Sequence, residues 1–361
     1  MGISAKQWLT LIHEMPISQP IKIMNVCGGH ERSITMSGIR GALPKNIELI
    51  PGPGCPVCIC PEEDIYQAIQ LSLHEDIILV AYGDMLRVPV NVKKSEARTL
   101  EQAKAAGARI KPIASPMDVI QIAEQNPDDT VVFFAAGFET TTAPTAAMIA
   151  QGVPDNLKIL LSGRLTWPAI HVLLSSDSPG FNALVAPGHV ATIMGPQEWA
   201  FVVEDFNLPA AVAGFSPESL LAATYSVIRQ FESGKPFLDN CYPEVVKPTG
   251  NVGAQKMLSE VMTVVDATWR GVGTIPKSGF ALSEPYRYLD VNEHFPGYHD
   301  DARKRAGEMP PGCDCAKVVM GEIYPNECRL YGKACVPRHP IGPCMVSDEG
   351  ACRIWWAHTK R

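Results

Sequence analysis

The cysteines near the C-terminus are the residues of this chain with the clearest capacity for chemistry. Six of the 11 cysteines fall in one stretch, at Cys313, Cys315, Cys328, Cys335, Cys344 and Cys352. Thiolates are soft ligands, and four of them suit an iron–sulfur cluster or zinc. The stretch lacks the Cys-x-x-Cys doublets of zinc ribbons, which favours a [4Fe–4S] cluster over zinc. Six sulfurs allow four ligands and one redox-active pair, although the spacing does not choose which four.

Two more groups of potential sulfur ligands lie in the first sixty residues. Cys27-Gly-Gly-His30-Glu31 follows a predicted buried strand, and its glycines let a bound group approach the backbone. The thiol and imidazole there suit metal ligation or thiol activation; the alternative is a structural cysteine beside a turn. The pair in Cys55-Pro-Val-Cys58 can cycle between dithiol and disulfide, which is favoured over an inert pair. Cys60, with Cys27, would instead allow a zinc site.

Two candidates in the middle of the chain also follow predicted strands. Gly137-Phe-Glu139-Thr-Thr-Thr142 places a carboxylate and hydroxyls where a helix begins; the alternative is that the threonines serve only as helix caps. The spacing is not that of a Walker loop, so no nucleotide site is indicated. His189, in Pro187-Gly-His189, is as consistent with a turn residue as with a ligand. Asp84 is a weaker candidate, because aspartate is common in turns.

The order of apolar and helical segments indicates how these residues are positioned. Strand-like runs near residues 21–26, 47–50, 77–81, 110–113, 130–135, 183–186 and 210–213 alternate with helical segments. This pattern predicts βαβ units and parallel sheets. Similar glycine-rich turns follow the strands of both halves, at Gly29–Glu31 and Gly137–Glu139, and at Pro53–Cys55 and Pro187–His189. They favour an internal duplication, although such turns recur in any doubly wound fold.

The resulting prediction is an α/β protein of two similar parallel-sheet lobes with a C-terminal Cys-rich domain that holds an iron–sulfur cluster. Helical segments at 217–232 and 253–268 precede the Cys-rich end. The expected divisions are an N-terminal helix, a first lobe, a second lobe and a C-terminal helical and [4Fe–4S] domain, at residues 1–15, 16–115, 116–215 and 216–361.

Composition narrows the class of protein further. The formal net charge is -7 and no basic run stands out, which argues against a nucleic-acid partner. The longest apolar stretch, near residues 131–136, is far too short to span a bilayer, and the N-terminus has no signal-peptide pattern. We therefore expect a cytoplasmic protein without a membrane partner. Its cysteines would then be thiols, ligands or catalytic pairs rather than structural disulfides.

The motifs at Cys27–Glu31, Gly52–Cys58, Gly137–Thr141 and Pro187–Val190, followed by the six-cysteine tail, together resemble the HypD family of [NiFe]-hydrogenase maturation factors. The resemblance covers nearly the whole chain. It implies a scaffold on which the Fe(CN)2CO unit of the hydrogenase active site is assembled. HypC would share the iron, and HypE would donate cyanide that HypF supplies. Family members often have Thr at the position of Gly29 and a hydroxyl residue at that of Cys60.

The resemblance also implies roles for individual residues. Cys27 matches the iron-binding position of the family, with His30 beside it, and Glu139 and His189 would line the same cleft. Cys55 and Cys58 match a thiol pair that supplies electrons. The C-terminal domain of the family is similar to ferredoxin:thioredoxin reductase. By that analogy, the cluster ligands would be Cys313, Cys328, Cys335 and Cys352, and the redox disulfide would join Cys315 and Cys344.

Three hypotheses remain from the sequence. The first is a redox-active assembly scaffold rather than a simple turnover enzyme. The second is an iron–sulfur-dependent protein disulfide reductase, and the third is a zinc-stabilised binding protein with no redox role.

Overall fold

The structure is a computed structural model that describes residues 2–177, 179–305 and 309–358. Within these ranges the chain forms eleven β-strands: Ile21–Asn25 (β1), Ile47–Pro51 (β2), Ile77–Tyr82 (β3), Ile110–Ile113 (β4), Thr130–Gly137 (β5), Leu157–Gly163 (β6), Ala183–Pro187 (β7), Ala210–Ala213 (β8), Leu238–Asn240 (β9), Met262–Trp269 (β10) and Gly273–Leu282 (β11).

The same described residues form seventeen α-helices: Ala5–Glu14 (α1), Gly28–Met36 (α2), Ile39–Ala42 (α3), Pro56–Ile59 (α4), Glu62–His74 (α5), Leu100–Ala105 (α6), Met117–Glu124 (α7), Glu139–Ala150 (α8), Thr166–Leu174 (α9), Gly188–Met194 (α10), Phe201–Glu204 (α11), Pro217–Ser233 (α12), Val252–Val261 (α13), Val291–His294 (α14), Pro296–Arg303 (α15), Cys315–Val319 (α16) and Ala351–His358 (α17). Short 3-10 helices cover Gly83–Arg87, Pro196–Trp199, Glu284–Leu289, Pro325–Glu327 and Pro343–Met345. None of the described helices is long and apolar enough to cross a membrane.

The first sheet has five parallel strands in the order β2-β1-β7-β8-β9. Ile21 of β1 lies opposite Ile47 of β2, and Ile23 lies opposite Ala183 of β7. Alternate residues of β1 enter two different hydrophobic clusters, with Ile23 in one and Met24 in the other. Helices therefore cover both faces, which explains why these strands read as nearly continuous apolar runs.

The second sheet has four parallel strands in the order β4-β3-β5-β6. Its central strand β5 is buried along most of its length. Val132 and Phe134 face one cluster, and Val131 and Phe133 face the other, as the two-residue period of a strand requires. Strand β6, at 157–163, is an additional strand that the sequence pattern had not indicated.

The two sheets share one strand order, but their strands are interleaved along the chain. Counted in chain order within each sheet, both follow 2-1-3-4, and the first sheet adds a fifth strand. Strands β3 and β4 pair with β5 and β6, whereas β7 and β8 pair with β1. Strand pairing thus crosses the predicted boundary between residues 115 and 116. The pattern of apolar runs reveals where strands lie but not which strands become neighbours.

The strand order decides which turns of the two sheets correspond to each other. By strand order, β1 corresponds to β3 and β7 corresponds to β5. The turn at His189 is therefore equivalent to the turn at Glu139, rather than to the turn at Cys55 as the comparison of halves suggested. Both follow the third strand of their sheet.

The region after residue 216 also departs from expectation. Helix α12 packs on the first sheet, and β9 is its edge strand. The segment expected to be helical over 253–268 is a helix only to Val261. It continues as β10, which pairs with β11 in an antiparallel hairpin. The β-branched residues of β10, such as Thr263, Val264 and Val265, favour this strand.

The tail, which we define as residues 309–358, has little regular structure and shares its core with the rest of the molecule. Cys315, Cys335, Cys344 and Cys352 pack in the same hydrophobic cluster as one face of the second sheet. Helix α17 packs against α2 of the first sheet. The tail therefore contacts elements of both sheets.

Candidate functional site

A cavity of about 180 Å³ lies at the carboxyl ends of β1 and β7. These strands flank the point where the strand order of the first sheet reverses, which is where doubly wound folds bind ligands. Both sheets and the tail contribute to the lining, with Cys27, Gly54, Thr141, His189, Phe215 and Glu349 among its residues. We call it the Cys27 cavity.

Cys27 follows β1 and precedes the first turn of α2. Its side chain is partly exposed. Burial of the sulfur and the nearby charge of Glu349 raise the thiol pKa, while the backbone amides of His30 and Gly29 lower it, and the balance is a pKa of about 12. The free thiol is therefore protonated at neutral pH, and a metal that binds here must displace that proton.

Three glycines allow other segments to approach Cys27 closely. A Cβ on Gly54 would lie 2.4 Å from the backbone N and Cα of Cys27, and the Gly28 amide donates to the Gly54 carbonyl at 3.1 Å. A Cβ on Gly28 would lie 2.5 Å from Glu349 of the tail, and one on Gly29 would lie 2.3 Å from the Phe215 ring. The absence of side chains at these positions brings the loops after β1, β2 and β8 together with the tail.

The two histidines near Cys27 have different surroundings. His30 is fully buried, and its Nε2–H donates to the Ala213 carbonyl at 3.0 Å. Burial lowers the pKa of His30 to about 4, so the ring is neutral. The Phe215 ring packs against both His30 and His189, with centroid distances of 5.2 and 4.1 Å. Of the two imidazoles, that of His189 lines the cavity; its pKa is lowered by burial.

Cys55 and Cys58 form a disulfide across the first turn of α4, with Cα atoms 5.3 Å apart. The Cys58 amide also donates to the Cys55 sulfur at 3.2 Å. Gly54 and Pro56, on either side of Cys55, line the Cys27 cavity. The disulfide is therefore directly behind the cavity wall. Cys60 is buried beside Ser162, and burial raises its thiol pKa to about 12.

Glu139 lies behind another part of that wall. Its carboxylate accepts from the Thr166 amide at 2.6 Å and from the Thr166 hydroxyl at 2.7 Å. Burial raises the pKa of Glu139 to about 7. The pKa of Glu198 is also raised, by burial and by the charge of Glu139. Thr166 lines the Cys27 cavity, so Glu139 contacts the cavity lining rather than the cavity itself.

Five thiols of the tail lie close together, and we call them the tail sulfur group: Cys313, Cys315, Cys335, Cys344 and Cys352. Hydrogen bonds from Cys315 and Cys344 lower the pKa of Cys352 to about 6, and contact with Cys315 raises that of Cys344. Cys328 is also buried. It lies outside the hydrophobic cluster that contains the tail sulfur group. All six of these cysteines are free thiols.

Gly342 explains how the tail sulfurs can gather. A Cβ at this position would lie 2.4 Å from the Cys313 sulfur and 2.5 Å from the Cys315 sulfur. In the described ranges, no three His, Cys, Asp or Glu side chains converge on a point suited to one metal ion. A [4Fe–4S] cluster needs thiolates around a larger body, and the buried soft donors of the tail sulfur group are chemically suited to it.

Comparison with known proteins identifies the family. The family model "HypD: Hydrogenase formation hypA family" matches residues 4–359. The chain belongs to the HypD family. Hydrogenase maturation factor HypD2 of Bradyrhizobium diazoefficiens is 38% identical over 94% of this chain and 90% of its own length. The HypD proteins of Azotobacter vinelandii and Escherichia coli are 35% and 36% identical, over 100% and 95% of this chain and 95% and 90% of their own lengths.

Several residues around the HypD-family motifs were not anticipated from the sequence. Phe215 follows Gly214 at the end of β8, so a strand-end search would have found it. Thr166 follows β6, the strand that the pattern had missed. Glu349 has no local signal, because its place in the cavity depends on how the tail packs against Gly28.

Arg270 connects the disulfide region to the tail. Its guanidinium pairs with Glu62 at 2.7 Å, with both side chains fully buried, and it also donates to the Pro89 carbonyl. The Arg270 amide donates to the Ile59 carbonyl, next to Cys58, at 3.0 Å. A Cβ on the following Gly271 would lie 2.9 Å from Ala316 in α16. Through these contacts, Arg270 and Gly271 hold α4 close to α16, the helix that begins at Cys315.

Proposed function

We propose that this HypD-family chain is a cytoplasmic scaffold on which the Fe(CN)2CO unit of a [NiFe]-hydrogenase is assembled with HypC and HypE. The observation that carries the proposal is the Cys27 cavity, where a thiol, an imidazole and the wall of a Cys-x-x-Cys disulfide meet. Family membership supports a role in hydrogenase maturation.

Cys27 is the residue that we assign to the iron cargo. Iron(II) that carries cyanide and carbon monoxide is soft, and a thiolate suits it. The raised pKa of Cys27 means that its proton must leave when iron binds. The neutral imidazole of His189 lines the same cavity and is available to accept that proton.

The Cys55–Cys58 disulfide is the assigned store of redox equivalents beside the cargo. Its reduction takes up two electrons and two protons and yields two thiols. Cys313, Cys328, Cys335 and Cys352 would hold a [4Fe–4S] cluster, which would supply electrons one at a time. Cys55, Cys58 and the five cysteines of the tail sulfur group share one hydrophobic cluster, which keeps water away from these sulfurs. We keep Cys315 and Cys344, which contact each other, as the proposed redox pair of the tail.

The test is infrared spectroscopy of the protein purified anaerobically with HypC. We expect bands from iron-bound cyanide and carbonyl in the wild type and their loss in Cys27→Ser. The matched control is Cys241→Ser, which removes a half-buried thiol. Cys241 packs against the hydrophobic cluster that contains Ile23, on the face of the first sheet opposite to Met24. Bands that survive in Cys27→Ser, or that are lost equally in both variants, would contradict the assignment.

A second function, an iron–sulfur-dependent protein disulfide reductase, is favoured by the same disulfide and its shared cluster with the tail thiols. Such an enzyme would reduce a protein disulfide catalytically without any cyanide or carbonyl on iron. Turnover that is unaffected by Cys27→Ser but abolished by Cys55→Ser would establish this alternative in place of the scaffold.

A further inference from the structure

A second cavity, of about 740 Å³, lies beside the tail sulfur group. The charged and titratable side chains that line it are four arginines, one histidine and one carboxylate: Arg87, Arg98, Arg338, Arg353, His339 and Glu101. The whole chain has a formal net charge of -7, so this surface is a local reversal of the overall charge. We call it the arginine-lined cavity.

Two of its arginines lack an acidic partner among the residues that the structure describes. Arg87 lies 3.9 Å from Asp84, and Arg353 lies 3.6 Å from Asp348, in partly exposed pairs of the kind that contribute little to stability. Arg98 and Arg338 have no carboxylate within ion-pair distance among the described residues. Their positive charge is therefore available to an acidic group from outside the chain.

Only a thin layer of protein separates this cavity from the tail sulfur group. Ile341 lines the cavity, and its amide donates to the Cys335 sulfur at 3.3 Å. The next residue, Gly342, lies directly against the sulfurs of Cys313 and Cys315. Arg353 follows Cys352 in the chain. A redox group held at the cavity would thus be separated from the sulfurs by about the thickness of one residue.

The surroundings of the cavity indicate a protein rather than a small anion as its occupant. An adjoining cleft of about 540 Å³ shares Pro337 and Arg338 with it and adds Gly332, Val336 and Trp356. An apolar centre with a charged rim is the arrangement of protein–protein interfaces, and Trp and Arg are enriched there. A phosphate or nucleotide would need the arginines but not the apolar cleft.

We propose that the arginine-lined cavity and its adjoining cleft dock an acidic one-electron carrier protein, with an iron–sulfur or flavin group, that reduces the tail of this chain. The proposal rests on the proposed function, since it requires the tail to hold its cluster. In the step, the reduced carrier loses one electron and the cluster gains it, while no covalent bond forms or breaks and no proton moves. Charge steering accelerates such encounters and is weakened by salt.

The test measures how fast a reduced, acidic [2Fe–2S] ferredoxin reduces the anaerobically prepared holoprotein in stopped-flow experiments. The variant is Arg98→Glu/Arg338→Glu, because within the described part of the chain neither arginine has a carboxylate partner to lose. The control is Lys6→Glu/Lys45→Glu, an equal change of charge at exposed sites on α1 and just before β2. At low salt we expect a loss of roughly tenfold or more in the second-order rate constant for the arginine variant only. The wild-type rate should fall steeply with salt, and the midpoint potential of the cluster should be the same in all three proteins.

Each other outcome has a separate meaning. An equal rate in the wild type and the arginine variant, or an equal loss in the lysine control, would overturn the docking surface while the proposed function stands. Competition by inorganic phosphate alone, with no change caused by the apolar substitution Trp356→Ala, would identify a small-anion site and also overturn it. If iron and sulfide analysis finds no cluster in the wild type, the redox part of the proposed function is wrong, and the carrier proposal is wrong with it.

Discussion

The two sheets of this molecule have the same strand order but use the ends of their strands differently. In the first sheet, the turns after β1 and β7 carry Cys27 and His189, which line an open cavity. In the second sheet, the equivalent turns after β3 and β5 carry Asp84 and Glu139, which bind groups of the protein itself. Asp84 accepts from the Ser347 hydroxyl at 2.9 Å, and Glu139 accepts from Thr166.

This difference shows that the same strand order can serve two purposes: the first sheet lines a cavity, and the second sheet holds the surrounding segments in place. The crevice at the carboxyl ends of the first sheet remains open to a ligand, as is typical of doubly wound folds. In the second sheet the corresponding carboxylates hold the tail and the cavity wall in place. The residues that follow each strand, rather than the strand order, therefore decide what each sheet does.

Close packing distinguishes the loop after β2 of the first sheet from the turn after β3 of the second sheet. Gly54 lies against the backbone of Cys27, where neither partner can move without displacing a strand, whereas a Cβ on Gly83, after β3, would meet open space. We expect Gly54→Ala to lower the free energy of unfolding by about 3 kcal/mol. The control Gly83→Ala should stay within about 0.5 kcal/mol of the wild type. Urea denaturation measures both, and equal effects would remove this distinction between the two turns.

The sequence was sufficient to predict an α/β fold with parallel sheets and the positions of most strands. Alternating apolar and helical segments located β1 to β5, β7 and β8, because buried parallel strands have a strong apolar signal. Strand pairing was not predictable, since β3 and β7 are equally apolar and their partners depend on the packing of the whole chain. The prediction of a helix over 253–268 was wrong after Val261, because there the chain forms β10, and pairing with β11 determines its conformation.

The candidate site was predictable to the extent that its residues follow strands. Cys27, the Cys55–Cys58 loop and His189 all do, and the structure places them around one cavity. The separation of His30 from that cavity was not predictable, because it depends on Phe215 and on the acceptor at Ala213, about 180 residues away in the chain. The contacts of Glu349 and Arg270 are likewise products of long-range packing.

Ionisation of Glu139, after β5 of the second sheet, should lower the free energy of unfolding as pH rises. Its pKa is raised from an ordinary value of 4.5 to about 7, so the folded state favours the protonated form. Stability from this group is complete below the unfolded pKa and is lost as pH rises towards the folded pKa. Between pH 5 and pH 8 we expect the wild type to lose about 2 to 3 kcal/mol through this group.

The variant Glu139→Gln imitates the protonated form and should remove that loss. Urea denaturation at pH 5 and pH 8 measures the slope for the two proteins, and Thr166→Ser is the matched control, because it keeps the hydroxyl that donates to Glu139. A slope that is the same in Glu139→Gln and the wild type would show that this carboxylate is not held in its protonated form.

His30 should give the first sheet the opposite, and smaller, dependence on pH. Its pKa is lowered from 6.5 to about 4 by burial, so the folded state favours the neutral ring. Stability from this group is present above pH 6.5 and is lost as pH falls, by about 2 kcal/mol at pH 5.

A neutral donor in place of His30 tests this dependence. His30→Gln can still donate to the Ala213 carbonyl, and it has no proton to gain between pH 7 and pH 5. We expect this variant to lose less stability than the wild type over that range, although it is less stable at pH 7 because the packing on Phe215 is reduced. Parallel losses in the two proteins would mean that His30 is protonated in the folded state. The opposite pH responses of His30 and Glu139 would then no longer distinguish the two sheets.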